Sequence, residues 1–432
     1  MNKIKNVVAR EIIDSRGSPT VEVDVHLSNG IFGRAAAPSG ASKGVKEALE
    51  VRDEDPGRFH GRGVLKAVTN INTVINSALV GQDCLQQEQI DTLLIELDGT
   101  ENKSRLGANA IVATSTAVLK AASLLQKVPL FKHLNNTTCV LPVPLMNIIN
   151  GGAHANNGLD IQEFMIVPVG AKNIKEAVRI GAEIFFSLRE ILSKNKLSTS
   201  VGDEGGFAPA LSSNREALEM ILLAIEKAGY KPGKDVMLAL DVAASEFYKD
   251  GQYYIREKKK GMNSTELITF FEELISDFPI YSIEDGLAQD DYFGWQELTK
   301  RLGNKVQLVG DDIFVTNEKI LSECIELKIG NSVLIKPNQI GTITETLNAI
   351  KLARKNNYNC IMSHRSGETE DSTIAHFAIG FGCGQIKIGS ICRSDRTAKY
   401  NELMRIEEFL GKEAGYASLS KATLAQCYEC VV

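Results

Sequence analysis

Two hydrophobic patterns follow one another along this chain, and they predict two kinds of structure. In residues 21–27, VEVDVHL, apolar and polar side chains alternate with period two, which predicts a β-strand. This strand runs into Asn29-Gly30, a pair that favours a type I′ turn and therefore an antiparallel hairpin. Helical spacing of apolar residues follows in residues 46–54, 64–80, 86–97 and 107–126. Strands first and helices afterwards indicate an α+β domain.

After a polar stretch at residues 135–138, the pattern changes to short apolar runs that alternate with helical segments. The runs are residues 142–149, 160–168, 236–241, 279–285, 306–311, 332–336, 359–363 and 385–389. Near-continuous apolar strands separated by helices are typical of a parallel sheet, and this number of strands predicts a closed β/α barrel. The first two runs have no helix of ordinary length between them, so we expect an irregular start with one reversed strand. The predicted α/β architecture is an N-terminal α+β capping domain, residues 1–136, followed by a catalytic barrel, residues 137–432.

Composition and charge limit the classes of function. The 432 residues are 44% hydrophobic and 24% charged, as in soluble globular proteins, which excludes a disordered or fibrous chain. The formal net charge of -6 argues against a nucleic-acid partner, because proteins that hold phosphate backbones carry a basic surplus. The first residues lack the apolar stretch of a secretory signal, and no uncharged run of about 18 residues could span a bilayer. We therefore expect a cytoplasmic protein without membrane insertion.

The cysteines are scattered and predict reduced thiols. Eight cysteines in 432 residues fall far short of the density of a disulfide scaffold. Cys427 and Cys430 form a CxxC pair, but a zinc site needs a second pair of ligands at matching spacing, and the sequence offers none. A structural metal is not expected there.

The candidate chemistry lies where the predicted barrel strands end. Six consecutive strands carry ionisable residues at or near their ends: Asp241, Glu284, Asp311, Lys336, His364 with Arg365, and Lys387. The carboxyl ends of barrel strands converge on one face, so we expect these side chains to meet around one cavity. A single charge after a strand is often a residue of a solvated loop. Six in series favour a functional site.

The residue types at these strand ends indicate a division of labour. Asp241, Glu284 and Asp311 offer hard oxygen ligands, which suit Mg²⁺. Lys336 opposite them is expected to be pushed toward its neutral form by burial and nearby cations, as a general base requires. The alternative is a salt-bridged lysine that neutralises the acids. A separate set of anion-binding residues, suited to a phosphate or carboxylate, is Arg365, Ser366 and Lys387.

Two glycine-rich segments add candidates. In residues 202–207, GDEGGF, Glu204 is a candidate general acid, although an acidic turn is an equally good interpretation of this segment alone. In residues 150–156, NGGAHAN, the glycines fit a mobile lid that carries His154, whereas the alternative is a loop with a structural histidine. Residues 38–44, PSGASKG, lack the spacing of a nucleotide-binding phosphate loop.

Several long motifs, taken together and in order, resemble the enolase family. They include DSRGSPTVEV, AAPSGAS, NGGAHANN, DIQEFMIVP, GDEGGFAP, SVLIKPNQIG and SHRSGETED, and the likeness extends from residue 4 to residue 410. The resemblance implies an α+β domain before an eight-stranded barrel. It also implies a lyase that reversibly dehydrates 2-phospho-D-glycerate to phosphoenolpyruvate, working as a homodimer or as an octamer built from dimers.

The resemblance also implies roles for individual residues. Two Mg²⁺ ions would bind per active site, the first on Asp241, Glu284 and Asp311 and the second, arriving with substrate, completed by Ser39. Lys336 would be the base and Glu204 the acid. The further catalytic residues would be His154 and Glu163, and the substrate-binding residues would be Gln162, Lys336, His364, Arg365, Ser366 and Lys387.

The chain departs from the commoner enolase pattern at Lys43, Pro337, His376 and Ile388. None of these positions removes a predicted catalytic group, but Lys43 adds charge to the Ser39 segment and Pro337 stiffens the backbone after the base. Two other functions stay open. One is a related enzyme that abstracts a proton from a different carboxylate, which the phosphate-type residues disfavour. The other is a non-catalytic scaffold, which the complete set of predicted catalytic groups disfavours.

Overall fold

The computed structural model describes residues 2–135, 139–258 and 260–419. An antiparallel three-stranded sheet and several helices come first, and a closed eight-stranded barrel with helices follows. The predicted fold class is therefore confirmed. The predicted boundary between residues 136 and 137 lies outside the described residues and stays a prediction. Cys427 and Cys430 also lie outside them, so the interpretation of this pair stays a prediction as well.

The first part of the chain is built on a meander. Its strands are β1 Ile4–Ile13, β2 Pro19–Leu27 and β3 Phe32–Ala36, paired in the order β1-β2-β3. Its helices are α1 Leu65–Asn70, α2 Asn76–Leu79, α3 Gln87–Asp98, α4 Ala108–Gln126 and α5 Leu130–Leu134. A π-helical segment, Ile71–Ile75, joins α1 to α2, so the segment predicted as one helix is continuous but irregular.

The hairpin between β2 and β3 forms as predicted, but its turn is of a different type. Gly30 has φ +88°, whereas Asn29 is not among the residues with positive φ. The Leu27 N–H donates to Ile31 O at 2.8 Å, and the Gly30 N–H donates to Leu27 O at 3.1 Å. A three-residue loop with a left-handed glycine at its end has this geometry, whereas a type I′ turn needs positive φ at both central residues. The type I′ prediction is wrong.

The helix predicted at residues 46–54 is absent, because tertiary hydrogen bonds take its backbone donors. The Ala48 N–H donates to Gln339 O at 2.8 Å, and the Leu49 N–H donates to Asn102 O at 2.8 Å. The Glu47 carboxylate binds Arg365. This segment is therefore an irregular strap that runs from the first part of the chain onto the barrel.

Helix α4 fills the core of the first part of the chain. Its small residues allow β3 to approach so closely that a Cβ at Gly33 would lie 2.2 Å from Ala117 O. Val21, Val23 and Val25 of β2 are fully buried in the same cluster. By length and composition α4 could also cross a membrane, but 83% of its apolar window is buried inside the protein. This burial is what its role as a core helix requires.

The second part of the chain closes into a barrel. Its barrel strands are β5 Val143–Asn150, β6 Glu163–Val167, β7 Met237–Asp241, β10 Ile280–Glu284, β11 Gln307–Gly310, β12 Ser332–Ile335, β13 Asn359–Ser363 and β14 Gly384–Lys387. Short strands outside the barrel are β4 Val140–Leu141, β8 Tyr248–Lys249, β9 Gln252–Tyr253 and β15 Gly415–Tyr416. Strand β6 is antiparallel to both β5 and β7, and the other barrel pairs are parallel. The predicted irregular start with one reversed strand is thus confirmed.

Helices cover the outside of the barrel. They are α6 Ile174–Lys194, α7 Asn214–Lys227, α8 Ser264–Asp277, α9 Tyr292–Leu302, α10 Glu318–Glu326, α12 Ile343–Lys355, α13 Thr373–Gly380 and α14 Ser394–Leu410. The short helix α11 Pro337–Ile340 instead follows the carboxyl end of β12 and packs against α4. Several begin with side-chain caps, such as Asn263 of α8, whose side chain and Glu266 form a capping box. Apolar side chains of the strands fill the space inside the barrel, among them Leu145, Met165 and Leu334. Because helices cover the sides of the barrel and apolar side chains fill its interior, polar side chains can gather at the carboxyl ends of the strands.

Ion pairs on the outer face of the N-terminal sheet lead us to expect a loss of stability in acid. The Asp24 carboxylate on β2 binds Arg34 at 2.6 Å and also Arg10. Burial alone would raise the pKa of Asp24, but the hydrogen bonds from Arg34 and Arg10 outweigh it and lower this pKa from 3.8 to about 2. Because the folded-state pKa lies below the unfolded-state value, the stabilisation is complete above pH ~4 and disappears as the pH falls to about 2.

We expect Asp24→Asn to lower the free energy of unfolding at neutral pH by about 1–2 kcal/mol. The variant should also lose the part of the pH dependence that lies between about pH 4 and pH 2. Urea denaturation over this pH range measures both effects. Asp277→Asn is the control, because its ion pair with Arg215 is about half exposed and should contribute little. Parallel pH profiles for Asp24→Asn and the wild type would contradict the assignment.

Candidate active site

The carboxyl ends of the barrel strands bring the predicted residues together. Asp241 and Glu284 are the last residues of β7 and β10, and they lie opposite each other in the register of that parallel pair. Asp311 follows β11, Lys336 follows β12, and Lys387 ends β14. The convergence predicted from the strand ends is therefore found in the structure.

Lys387 lies in the middle of the carboxylates. Its Nζ is 2.8 Å from Asp241 Oδ2, 2.9 Å from Glu284 Oε1 and 3.1 Å from Glu163 Oε1. Burial alone would lower the pKa of Lys387, but these carboxylates raise it well above its usual value. Lys387 is thus a cation within the acidic cluster, so the prediction of a set separate from the acids is wrong for this residue. Its predicted role in substrate binding stays a prediction.

Lys336 pairs with Asp311 on the adjacent side of the site. Its side chain is 12% exposed, and its Nζ donates to Asp311 Oδ2. Burial alone would lower the pKa of Lys336, but the Asp311 charge outweighs it and raises this pKa. The expected shift toward the neutral amine is therefore wrong for the protein without ligands, and Lys336 matches the alternative, a lysine salt-bridged to the acids.

A second buried cluster surrounds His154. Its Nδ1 is 3.7 Å from Glu163 Oε1, and its Nε2 is 3.8 Å from Glu204 Oε1. His154 ends the short 3-10 helix Gly152–His154 and is 6% exposed. Both predicted residues of the glycine-rich segments thus lie in the site, which favours their functional interpretation over that of a solvent-exposed turn or loop.

The two glutamates beside His154 differ in proton affinity. Burial raises the pKa of Glu163 well above its usual value, and the Glu204 carboxylate raises it further. Burial alone would raise the pKa of Glu204, but His364 and His154 lower it well below its usual value. Burial lowers the pKa of His154 as well. Two carboxyl groups with opposite shifts around one imidazole can hold and pass on a proton.

His364 and Arg365 follow β13 and have different neighbours. His364 Nε2 is 3.4 Å from Glu204 Oε2, and burial lowers the pKa of His364 to about 3. The Arg365 guanidinium donates to Glu47 Oε2 at 2.9 Å and to Glu47 Oε1 at 3.1 Å. This bidentate pair joins the strap from the first part of the chain to the barrel.

Arg396, which is fully buried, donates to the backbone oxygens of Arg365 and Ser366, both at 2.6 Å, and so fixes this turn.

The Ser39 segment closes one side of the site. The Ser366 hydroxyl accepts from the Ala41 N–H at 2.6 Å. Ser39 itself does not line the cavity, because its hydroxyl donates to Glu50 Oε2 at 3.1 Å, whereas Gly40 and Ser42 do line it. The predicted role of Ser39 in the second metal site stays a prediction.

These groups enclose a small polar cavity. About 20 Å³ of space lies between them, enough for roughly one water molecule. Its lining comprises Gly40, Ser42, His154, Gln162, Glu163, Glu204, Asp241, Asp311, Lys336, Ser363, His364, Arg365, Ser366 and Lys387. Sequence reasoning missed Ser42, Ser363 and the Glu47 partner of Arg365. No signal in the local sequence distinguishes Glu47, whose contact depends on residues far away in the chain.

The donor set fits a hard divalent cation. Asp241 and Glu284 already hold a cationic group between their oxygens. Burial raises the pKa of Glu284 well above its usual value, and repulsion from Asp241 raises it further, so positive charge is needed to keep both groups ionised. Gln162 Oε1 and Glu163 Oε2 are buried and have no hydrogen-bond partner. Carboxylate and amide oxygens are ligands that suit Mg²⁺.

In the described part of the chain, two groups of three side chains have ligand atoms within 4.8 Å of one another. They are His154 with Glu163 and Glu204, and Asp285 with Asp311 and Asp312. The predicted set of Asp241, Glu284 and Asp311 is divided instead, because Lys387 binds the first two and Lys336 binds the third. The acidic clusters can hold a metal, and the particular ligand set stays a prediction.

The positions that depart from the family pattern have defined surroundings. Lys43 pairs with Glu50 at 3.2 Å, and Pro337 occupies the first turn of α11, where its missing N–H is tolerated. His376 pairs with Glu402 at 3.1 Å, and Ile388 is fully buried. The six cysteines in the described residues are free, as predicted: Cys84, Cys139, Cys324, Cys360, Cys383 and Cys392.

Two protein-family models match the chain. The model described as the enolase N-terminal domain matches residues 4–134. The model described as the enolase C-terminal TIM barrel domain matches residues 138–424. The first match contains the three-stranded sheet and its helices, and the second contains all eight barrel strands.

Proposed function

The chain belongs to the enolase family, and from this premise we propose that it catalyses the reversible dehydration of 2-phospho-D-glycerate to phosphoenolpyruvate. Its domains are those of a lyase-type enzyme of the enolase superfamily. One observation carries the more specific proposal. Carboxylates, a buried lysine and an arginine from separate strand ends line one polar cavity, which is what removal of a proton beside a carboxylate requires.

Lys336 is the proposed base. It is largely buried, its amine faces the cavity, and its contact with Asp311 fixes the position of Nζ. To accept the proton on carbon 2 of the substrate, Lys336 must first lose its own proton, and the Asp311 charge opposes this loss. A cation that engages Asp311 would therefore favour the neutral amine. The effect of a bound cation on the protonation of Lys336 supports the assignment of two residues in direct contact, Lys336 as the base and Asp311 as a metal ligand.

Glu204 is the proposed acid, assisted by Glu163 and His154. Hydroxide is a poor leaving group, so the reaction needs a proton donor at carbon 3 of the substrate. Glu204 and Glu163 both contact His154, and the raised pKa of Glu163 keeps a proton available in this cluster. Lys336 lies on the Asp311 side of the cavity and Glu204 on the His154 side, as a base and an acid acting on different carbons require.

The substrate's negative charges have matching partners. We propose that Arg365 and Ser366 bind the phosphate, because guanidinium groups suit bidentate contacts with phosphate oxygens. Gln162, His364 and Lys387 complete the substrate-binding set. Mg²⁺ on Asp241, Glu284 and Asp311, with a second ion completed by Ser39, would stabilise the charge that develops on the substrate carboxylate.

The direct test is product formation on mixing the pure chain with 2-phosphoglycerate and Mg²⁺. We expect ultraviolet absorbance of the enol product to appear and to be blocked by a chelator. Unphosphorylated glycerate is the comparison substrate, and a preference for it would favour the related enzyme that acts on another carboxylate. No absorbance change with either compound would favour a non-catalytic role. We also propose a homodimer or an octamer of dimers, as the resemblance to enolases implies, and sedimentation of the pure chain tests this.

A further inference from the structure

We propose that Gln339 is a positioning residue that holds Asp311 in place and connects it, through Glu47, to Arg365. The inference rests on the proposed function in one respect only, which is that Asp311 binds Mg²⁺. Gln339 does not line the cavity, so it would act through the residues that do.

The Gln339 side chain is buried and fully hydrogen-bonded. It is 1% exposed, and its Nε2 donates to Asp311 Oδ1 at 2.8 Å and to Glu47 Oε1 at 3.3 Å. Its Oε1 accepts from the Thr316 hydroxyl at 2.8 Å. Both amide hydrogens and the amide oxygen therefore have a partner, which fixes the side chain in one orientation.

The partners require an amide at this position. A nitrogen that faces two carboxylates can donate to both, whereas an oxygen in its place would be repelled by them. A glutamate would place a third carboxylate beside Asp311 and Glu47. An apolar side chain would leave Asp311 Oδ1 without its amide donor. Glu47 Oε1 would keep two donors, the Arg365 guanidinium and the Gly44 N–H. The chemistry of the surroundings, more than packing, thus specifies glutamine.

Gln339 joins the two ends of the site. Asp311 uses one oxygen for the Gln339 amide and the other for Lys336. Glu47 accepts from the same amide while it binds the Arg365 guanidinium at 2.9 and 3.1 Å. One side chain therefore connects the metal-binding carboxylate to the proposed phosphate-binding arginine.

Thr316 extends this connection to the proposed base. Its hydroxyl donates to Gln339 Oε1 and accepts from the Lys336 N–H at 2.9 Å.

The Gln339 backbone makes a contact that a side-chain mutation leaves in place, since the Gln339 carbonyl accepts from the Ala48 N–H. A side-chain variant therefore removes the amide connection while it keeps the backbone link to the strap.

The test is the affinity for Mg²⁺ alone, measured by titration calorimetry below the melting temperature. Residues that orient metal ligands typically change metal affinity by about 10–100-fold when mutated. We expect Gln339→Met, which keeps the length but lacks the amide, to weaken Mg²⁺ binding within that range. We expect Gln339→Asn, which is one methylene too short to reach both carboxylates, to weaken it similarly. Gln126→Met is the matched control, because Gln126 is exposed at the end of α4. This variant should bind Mg²⁺ with the affinity of the wild type.

The measurement separates positioning from stability. A merely structural role would lower the melting temperature of the metal-free variants but leave the affinity of the folded protein for Mg²⁺ unchanged. Wild-type affinity in both folded Gln339 variants, or in the one that folds, would overturn the inference. Turnover of 2-phosphoglycerate by the wild type decides the proposed function separately. A wild type that binds Mg²⁺ but lacks turnover would refute that function and leave the affinity ratio as the test of Gln339. A wild type that binds no Mg²⁺ would refute both.

Discussion

Replacing Lys336 with alanine should lower the turnover of 2-phosphoglycerate by about 10²–10⁴-fold, the range for loss of a positioned general base. The amine is largely buried and directed into the cavity, and no other lysine in the lining is as free to act. Lys387, the other lining lysine, is engaged by three carboxylates, which raise its pKa well above its usual value. Lys387 therefore cannot readily replace the missing base. Initial rates with the purified variant measure the loss.

Exchange of the substrate's carbon-2 proton with deuterated solvent tests the role of Lys336 more sharply than turnover does. A base variant should lose exchange and turnover together, because both begin with removal of this proton. The control is Lys103→Ala, which removes another buried lysine from an ion pair, with Glu345 at 2.6 Å, outside the site. We expect Lys103→Ala to alter stability but to keep exchange. Exchange at the wild-type rate in Lys336→Ala would exclude Lys336 as the base.

The barrel and the convergence of its strand ends could be predicted because both depend on local pattern and one topological rule. Apolar runs mark the strands, and parallel strands in a barrel end on the same face. The sequence alone therefore predicts that Asp241, Glu284 and Asp311 lie in one region of the molecule. The enolase resemblance supplied residues such as Gln162 and Glu163, for which the local pattern gives no reason.

The partners of these residues could not be predicted, because they come from distant parts of the chain. Glu47 and Arg365 are separated by 318 positions, and Gln339 and Glu47 by 292. The same long-range contacts explain why the helix predicted at residues 46–54 does not form. Its local spacing of apolar residues favours a helix, but the tertiary hydrogen bonds of the strap take its backbone donors. Tertiary contacts of this kind override local propensity.

The charge states could not be predicted either, since they depend on which groups are in direct contact. Burial and nearby cations suggested a neutral Lys336, whereas the adjacent Asp311 raises its pKa. The sequence predicts one anion-binding set of Arg365, Ser366 and Lys387. In the structure Lys387 neutralises the carboxylates, whereas Arg365 binds Glu47. Residue type identified a charged site, but only the geometry shows which charges pair.

Changing Glu284 to glutamine should abolish activity without destabilising the metal-free protein. Burial and the Asp241 carboxylate raise the pKa of Glu284, so this side chain is held against electrostatic repulsion that Lys387 only partly offsets. An amide of the same shape removes the repulsion but also removes a ligand charge. The melting temperature of the variant in a chelator should therefore equal or exceed that of the wild type.

Mg²⁺ should stabilise the wild type but not Glu284→Gln. A ligand that binds the folded state alone adds about 2.7 kcal/mol to the free energy of unfolding at a concentration a hundredfold above its Kd. Melting curves with and without Mg²⁺ measure this gain, and a chelator should remove both the gain and the activity of the wild type. Glu345→Gln is the control, because it alters a carboxylate outside the site and should keep the full gain. If the wild type melted at the same temperature with and without Mg²⁺, or if Glu284→Gln kept the full shift, these carboxylates would not be the metal site, and the proposed chemistry would lose its source of positive charge.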